Sequence, residues 1–364
     1  MTILTFLFNL LLFLVLCLGV LFALGLLWGR IYRLEDSPEQ VHYFQAADGW
    51  TLSISRRTPE KPVKGREPVI LCHGLACNRF NFDFNRTMSM ARYLAGEGLD
   101  CWVLELRGFG RSARRRLFSA NRFKISFDDL VRLDLPAAVD HVSKVTGAKK
   151  VHWVGHSMGG MVAYGAFPSE GGKKVKSLCT IASPGQFGLQ PEITILTKAR
   201  PLLRNIRYIP VRFFAWAVIP FVGRATMNFA RATFNESNME PLVVRRILAN
   251  VTSPISSTLA GQFLYWIEQR SELIGLDGHN YSRGMEDLSM PMMFIAGNVD
   301  HLASPAAVRH AYDRVGGQDK HFRLFGTDQG DSIDYGHGDL ILGKAAPYEV
   351  FPFVRDWLLK QSSK

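Results

Sequence analysis

The sequence predicts an α/β protein: a mostly parallel sheet with an inserted helical cap, preceded by one apolar helix. Three observations carry this. Short apolar strands alternate with helical spacings over residues 68–181 and again over 292–360, the rhythm of βαβ units. Between them, from about Gln190 to Asp287, helical patterns and many aromatics run without a clear strand. Ahead of both, Ile3 to Trp28 contains no charged residue, and Asn9 is its only strongly polar side chain.

The N-terminal run exceeds the roughly 20 apolar residues that span a bilayer. A cleaved leader has a basic start, a shorter apolar stretch and a small-x-small site. This chain starts Met1-Thr2-Ile3-Leu4 and shows no such site, so residues 1–33 are expected to form a retained anchor. Arg30 and Arg33 follow the run and no Lys or Arg precedes it. The positive-inside rule then places the remainder in the cytoplasm. Cys72, Cys101 and Cys179 fall in apolar strand-like runs and Cys77 in a loop. Without a CxxC pair, neither a disulfide framework nor zinc is indicated. Four Asn-x-Ser/Thr triplets begin at Asn85, Asn235, Asn250 and Asn280, and would accept glycans only in a secretory lumen.

After a polar linker, residues 41–46 and 51–56 alternate around Ala47-Asp48-Gly49, a hairpin signal. The first part of the core, 34–185, continues with strand 68–72, helix 86–97, strand 101–105, helix 126–145 capped by Ser126, strand 150–154, helix 157–167 and strand 175–181. The cap is assigned to 186–288. The second part of the core, 289–364, holds strand 292–296, helix 305–315, strand 321–325 and helix 347–360.

The formal net charge is +11. Arg107, Arg111, Arg114, Arg115, Arg116, Arg122 and Lys124 lie in a stretch free of acids. Beside an anchor, an anionic membrane surface is a better partner for such a run than nucleic acid. A solvated basic loop accounts for it equally well.

Gly155-His156-Ser157-Met158-Gly159-Gly160 follows one predicted strand and opens a helix, the setting of a nucleophile elbow. Side chains at Gly155 and Gly159 would collide with the adjoining elements. A serine needs a base. Of ten histidines, His337 stands in a loop between the last strand and last helix, where sites of parallel sheets are built. His152 lies within a strand, His156 points elsewhere around the turn, His73 belongs to an earlier loop, and His301 adjoins the candidate acid. That acid is Asp300, just after strand 292–296, placed to orient the imidazole. Asp328, Asp331 and Asp334 are rivals whose nearness to His337 marks them as loop-shaping residues. The oxyanion is expected to meet the backbone N–H groups of Leu75 and Met158.

Together these residues resemble an α/β-hydrolase over 41–360. His73-Gly74-Leu75, Arg107-Gly108-Phe109-Gly110-Arg111-Ser112, the Ser157 elbow, Asp300 and His337 stand in that superfamily's order. His337-Gly338-Asp339-Leu340-Ile341-Leu342-Gly343 with Ala346-Pro347 and Val350 is similar to the C-terminus of acid lipases. The central stretch is also similar to polyhydroxyalkanoate synthases, which carry Cys where this chain has Ser157, and that difference favours hydrolysis. A retained anchor departs from the cleaved leader of secreted acid lipases.

The cap segment Ile209–Gly223 is strongly apolar, with Phe213, Phe214, Trp216, Ile219, Phe221 and Val222, and is bordered by Lys198, Arg200, Arg204, Arg207 and Arg212. It fits either an interfacial helix or a lid over the site. Both favour an apolar acyl substrate. The expectation is a cofactor-free hydrolase of lipid-like esters working through an acyl-enzyme on Ser157. Acyl transfer by the same residues and a non-catalytic tethered binding protein are the alternatives.

Overall fold

The computed structural model describes residues 3–363 other than 36–37, 62, 64, 114–123, 169, 189–196, 199 and 224–231. Helix α1, Ile3–Ile31, comes first. Its side chains point mostly outward, Phe6, Leu11, Phe13 and Phe22 all being more than half exposed. Residues Thr5–Ile31 are long and apolar enough to cross a membrane, a test that an N-terminal signal sequence also passes.

Strands β1 (Gln40–Gln45) and β2 (Thr51–Arg57) pair antiparallel. Their reversal uses Gly49 at φ +77°, and the Trp50 N–H donates to the Asp48 carboxylate at 3.1 Å. Then come β3 (Val69–Cys72), α2 (Met90–Gly96) and β4 (Cys101–Glu105). Helix α3 covers residues 127–146, followed by β5 (Val151–His156), α4 (Met158–Ala166) and β6 (Val175–Ile181). The next segment holds β7 (Tyr208–Ile209), α5 (Val211–Val218), α6 (Pro241–Asn250), β8 (Ile255–Ser256) and α7 (Ser257–Gln269). The chain closes with β9 (Met292–Gly297), α8 (Pro305–Arg314), β10 (Lys320–Phe325), α9 (Asp339–Leu342) and α10 (Val350–Ser362).

Eight strands form one sheet in the order β1-β2-β4-β3-β5-β6-β9-β10. β2 runs antiparallel to both neighbours, and the rest are parallel. Every residue of β3, β4, β5 and β9 is buried, as central strands covered on both faces require. Cys72, Cys101 and Cys179 lie unpaired inside the sheet. Burial pushes their thiols up, so they are packing groups, inert as nucleophiles.

Several local expectations need correction. Helix α2 begins at Met90, not at Arg86. The Asn85 side chain accepts the N–H groups of Thr87 and Met88, and Ser89 caps Arg92. Such a turn competes with helix. The segment before β9 does contain strands: β7 and β8 pair antiparallel. At two residues each they are too short to show alternation. The basic stretch is only partly a surface feature. Arg107 is buried, with its guanidinium on Asp134 at 2.7 Å and Asp48 at 3.0 Å. Arg111 is half-buried, its backbone N–H donating to Glu105 at 3.1 Å and its guanidinium to the Ser55 hydroxyl at 3.5 Å. Arg114, Arg115, Arg116 and Arg122 lie outside the described residues. Asn250, read as a glycan triplet, is buried, with its amide donating to the carbonyls of Tyr32 and Arg246.

The junction of β5 with α4 is packed too closely for side chains. A Cβ on Gly155 would lie 2.4 Å from Gly159 backbone atoms, and one on Gly159 would lie 2.1 Å from the Cys72 carbonyl oxygen. Both neighbours are backbone and cannot turn aside. Gly159→Val is therefore expected to cost about 3 kcal/mol of stability by overpacking. The check is the melting temperature of the purified chain in detergent, which should fall clearly below that of the unaltered protein.

Candidate active site

Ser157 sits between β5 and α4 with φ 51° and ψ −118°, a conformation that L residues rarely adopt. Such strain costs on the order of 1–3 kcal/mol and persists only where surroundings enforce it. Here the Ser157 N–H donates to the Ile181 carbonyl at 2.8 Å, and the two close-packed glycines leave the turn no other path. The loop after β3 presses on the serine: a Cβ on Gly74 would lie 3.1 Å from the Ser157 Cβ. Among the described residues, the N–H groups of Leu75, in that loop, and of Met158, the first residue of α4, donate no hydrogen bond. The Met158 N–H also stands at the positive end of a helix.

His337 and Asp300 meet. His337 Nδ1 lies 2.9 Å from Asp300 Oδ2, and both side chains are buried. The other Asp300 oxygen accepts the N–H groups of Leu302 and Ala303, each at 2.8 Å, so the carboxylate is fixed at both ends. With Nδ1–H donating to Asp300, the Nε2 of a neutral His337 is left with a lone pair.

His156, next to the nucleophile candidate, turns away from it. Its Nε2 lies 3.1 Å from the His337 carbonyl oxygen and its Nδ1 lies 3.0 Å from the Asn81 amide oxygen. Burial, with His337 nearby, pushes its pKa down to about 3, so the ring is neutral. A neutral imidazole has one N–H and can donate to only one of those oxygens. Asn81 also accepts the Gly74 N–H at 3.2 Å, which links the β3 loop to the elbow. His73 is buried, its pKa lowered to about 4 by that burial, and its Nε2 accepts the Leu106 N–H. His152 bonds Ser177 inside the sheet at 2.8 Å.

The rival acids do other work. Asp334 accepts from Asn298 and Thr327, and Asp331 pairs with Arg323 and accepts the Gly326 N–H. Both shape the loop after β10, and neither is bonded to His337.

Residues 67–326 match the α/β hydrolase fold family. The chain belongs to that family. This α/β-hydrolase is 25% identical to human lipase member M over 88% of its own length and 83% of that protein's. It is 32% identical to human gastric triacylglycerol lipase, over 49% of this chain and 45% of that one. A thermophilic esterase from Thermogutta terrifontis superposes with a TM-score of 0.59 at 18% identity, covering 89% of this chain and 99% of the other. The α/β-hydrolase is thus a carboxylic-ester hydrolase of the esterase and lipase kind.

The structure of this α/β-hydrolase also exposes residues that the sequence reading missed. Asp339 is fully buried beside His337. It accepts the N–H groups of Gly336 at 3.0 Å and Asn235 at 3.0 Å, and the Asn238 amide at 3.1 Å. Gly338 N–H donates to the Thr233 carbonyl at 2.8 Å, and the Asn235 amide donates to Asp334 O at 2.6 Å. Residues 233–238 are thereby laced to the His337 loop. In the sequence Asn235 stands out only as the start of a glycan triplet, and Asp339 only as a member of the acid-lipase-like motif after His337, with no role of its own.

Burial raises the Asp339 carboxyl to about 6, with the hydrogen bonds from Asn235 and Gly336 opposing the rise. Its folded pKa lies above the unfolded one, so its contribution to stability is full at low pH and is lost as pH rises through about 6. Asp339→Asn removes that dependence and leaves one oxygen for several donors. The wild type's advantage in melting temperature over this variant should therefore narrow between about pH 4 and pH 7. Turnover should fall about 10-fold through misplacement of His337. Unchanged turnover would separate Asp339 from the site.

Proposed function

We propose that this α/β-hydrolase cleaves carboxylic esters with lipid-like acyl groups through an acyl-enzyme on Ser157, with His337 as base and Asp300 as its orienting acid. The observation that carries the reading is the 2.9 Å contact between His337 Nδ1 and Asp300 in the loops flanking a strained, half-buried serine. Asp300 holds the imidazole so that Nε2 takes the proton from the Ser157 hydroxyl as its oxygen attacks the ester carbonyl. The negative charge that develops on the carbonyl oxygen is received by the N–H groups of Leu75 and Met158. His337 returns the proton to the departing alcohol. Water then repeats the sequence on the acyl-enzyme, releasing the acid and restoring Ser157. No metal or organic cofactor takes part. The relatives named lipases, and the apolar segment Val211–Phe221, support long acyl chains as substrate.

In the same reading, residues 1–33 are an anchor, 34–185 and 289–364 the hydrolase core, and 186–288 a cap. The core faces the cytoplasm, supported by Arg30 and Arg33 after α1 and by unpaired cysteines within the sheet.

Ser157→Ala should abolish covalent labelling by a fluorophosphonate and ester turnover while leaving the fold intact. Full labelling of the variant would remove Ser157 from its role. Asp300→Asn should lower kcat by up to about 10⁴-fold. Asp334→Asn should lower it far less, and a reversed order would shift the acid role to the His337 loop. In sealed vesicles of known orientation, protease added on the cytoplasmic face should reach the C-terminal end, and protection of that end would reverse the proposed topology.

A further inference from the structure

The apolar helix α1 is not a free tether. Among its described residues only Gly25 and Gly29, one turn apart, are buried. Trp216 of α5 fills the notch they leave. A Cβ on Gly29 would lie 2.7 Å from the Trp216 ring, and one on Gly25 would lie 3.5 Å from the Trp216 Cβ. Small residues spaced in this way let helices approach closely. One turn earlier, Phe22 meets Phe213, with ring centroids 5.6 Å apart. The end of α1 is clasped as well. Buried Asn250, the last residue of α6, accepts the Leu34 N–H and donates to the Tyr32 carbonyl, both at 2.9 Å. Trp216 Nε1 donates to Ala249 at 3.3 Å, which joins α5 to α6.

The depth of this contact matters. Phe22 lies nine residues before Ile31, so at about 1.5 Å per residue Phe213 packs about 13 Å back from the end of α1. One leaflet of a bilayer has a hydrocarbon half-thickness of about 15 Å. If α1 spans, as the anchor reading holds, α5 beside it lies at the depth of acyl chains. The outer face of α5, continued by the 3₁₀ turn Ile219–Phe221, suits that place. Phe214, Ala217, Val218 and Phe221 follow the i, i+3, i+4, i+7 spacing of one helical face. Phe214 is 58% exposed and Phe221 is 57% exposed. Arg30 and Arg33 are exposed at the end of α1, where headgroup phosphates would stand. The same cap region reaches the site. Asn78 donates to the Asn250 carbonyl at 2.7 Å, and Ser253 N–H donates to the Ala76 carbonyl at 2.6 Å, one residue beyond Leu75.

We propose that α5 is immersed in the lipid leaflet alongside α1, with Phe214 and Phe221 among the acyl chains, so that anchor and cap form one surface that receives ester substrates from the bilayer. The occupant of this surface is a lipid leaflet. The surface is continuous with α1, whose exposed apolar side chains demand the same surroundings. The proposal rests on the anchor and ester-hydrolase readings above, and each part is read separately.

The test uses the full-length chain in phosphatidylcholine vesicles. In a C17S/C77S background, F214C carries an environment-sensitive fluorophore, with L276C, 64% exposed on the native residue, as the aqueous control. The label at 214 should be quenched by lipids bearing a nitroxide on the acyl chain and spared by iodide in the water. Iodide quenching at 214 equal to that at 276 would overturn immersion. Release of the protein by carbonate would overturn the anchor reading instead. Separately, the F214E/F221E pair should lower hydrolysis of dioleoylglycerol embedded in vesicles by about 10-fold, while p-nitrophenyl butyrate in solution is cleaved within about 2-fold of the unaltered rate. Equal rates on both esters would overturn substrate capture from the leaflet, as would an equal loss on both. Absence of butyrate cleavage by the unaltered protein would count against the ester-hydrolase reading and leave the fluorescence result standing.

Discussion

The structure depends on one tight junction, where β5 turns into α4 through Ser157. Gly155 lies against the first turn of α4, and Gly159 lies against the end of β3, each at distances only hydrogen can occupy. That closeness fixes the backbone of Ser157 at a positive φ. It also sets the β3 loop against the serine, so that the Leu75 and Met158 N–H groups have no other occupation among the described residues. Parallel strands make this possible. β3, β5, β6 and β9 are neighbours and end on one side, so their following loops converge. Asp300 follows β9, and His337 follows β10 at the sheet edge.

Most of this was legible in the sequence because it follows local rules. The elbow glycines have a steric reason visible from strand and helix on either side. Asp300 follows from its place after an apolar strand. The strands of the sheet are legible nearly to the residue, β4 and β6 fully, since buried parallel strands are short apolar runs with sharp ends. What was not legible depends on distant partners. Asp339, Asn235 and Asn238 meet across about a hundred residues of chain, and each alone reads as an ordinary polar loop residue. Arg107 looked like one of a basic run until Asp134 and Asp48 were seen beside it. The start of α2 was missed because Asn85 and Ser89 use their side chains to satisfy nearby backbone groups, which propensity alone does not reveal.

Polar groups inside the protein are mostly held by several partners each. Asp300 has one oxygen for His337 and one for two backbone N–H groups. Asp134 receives both the backbone and the guanidinium of Arg107. A buried charge is tolerable when it is met in this way, and removing one member strands the others. The site thus gains rigidity from the same bonds that make burial of its acids affordable.

The segment between β6 and β9 is fastened to the rest of the protein at two places, the loop after β3 and the loop of His337. Ser253 is bonded to Ala76, the residue after Leu75, and Thr233, Asn235 and Asn238 are bonded into the loop of His337. Swinging that segment as one rigid body about a hinge would break both sets of bonds and disturb the loops that carry Leu75 and His337. Motion that keeps those bonds is confined to the stretches of the segment that lie between the two fixed points.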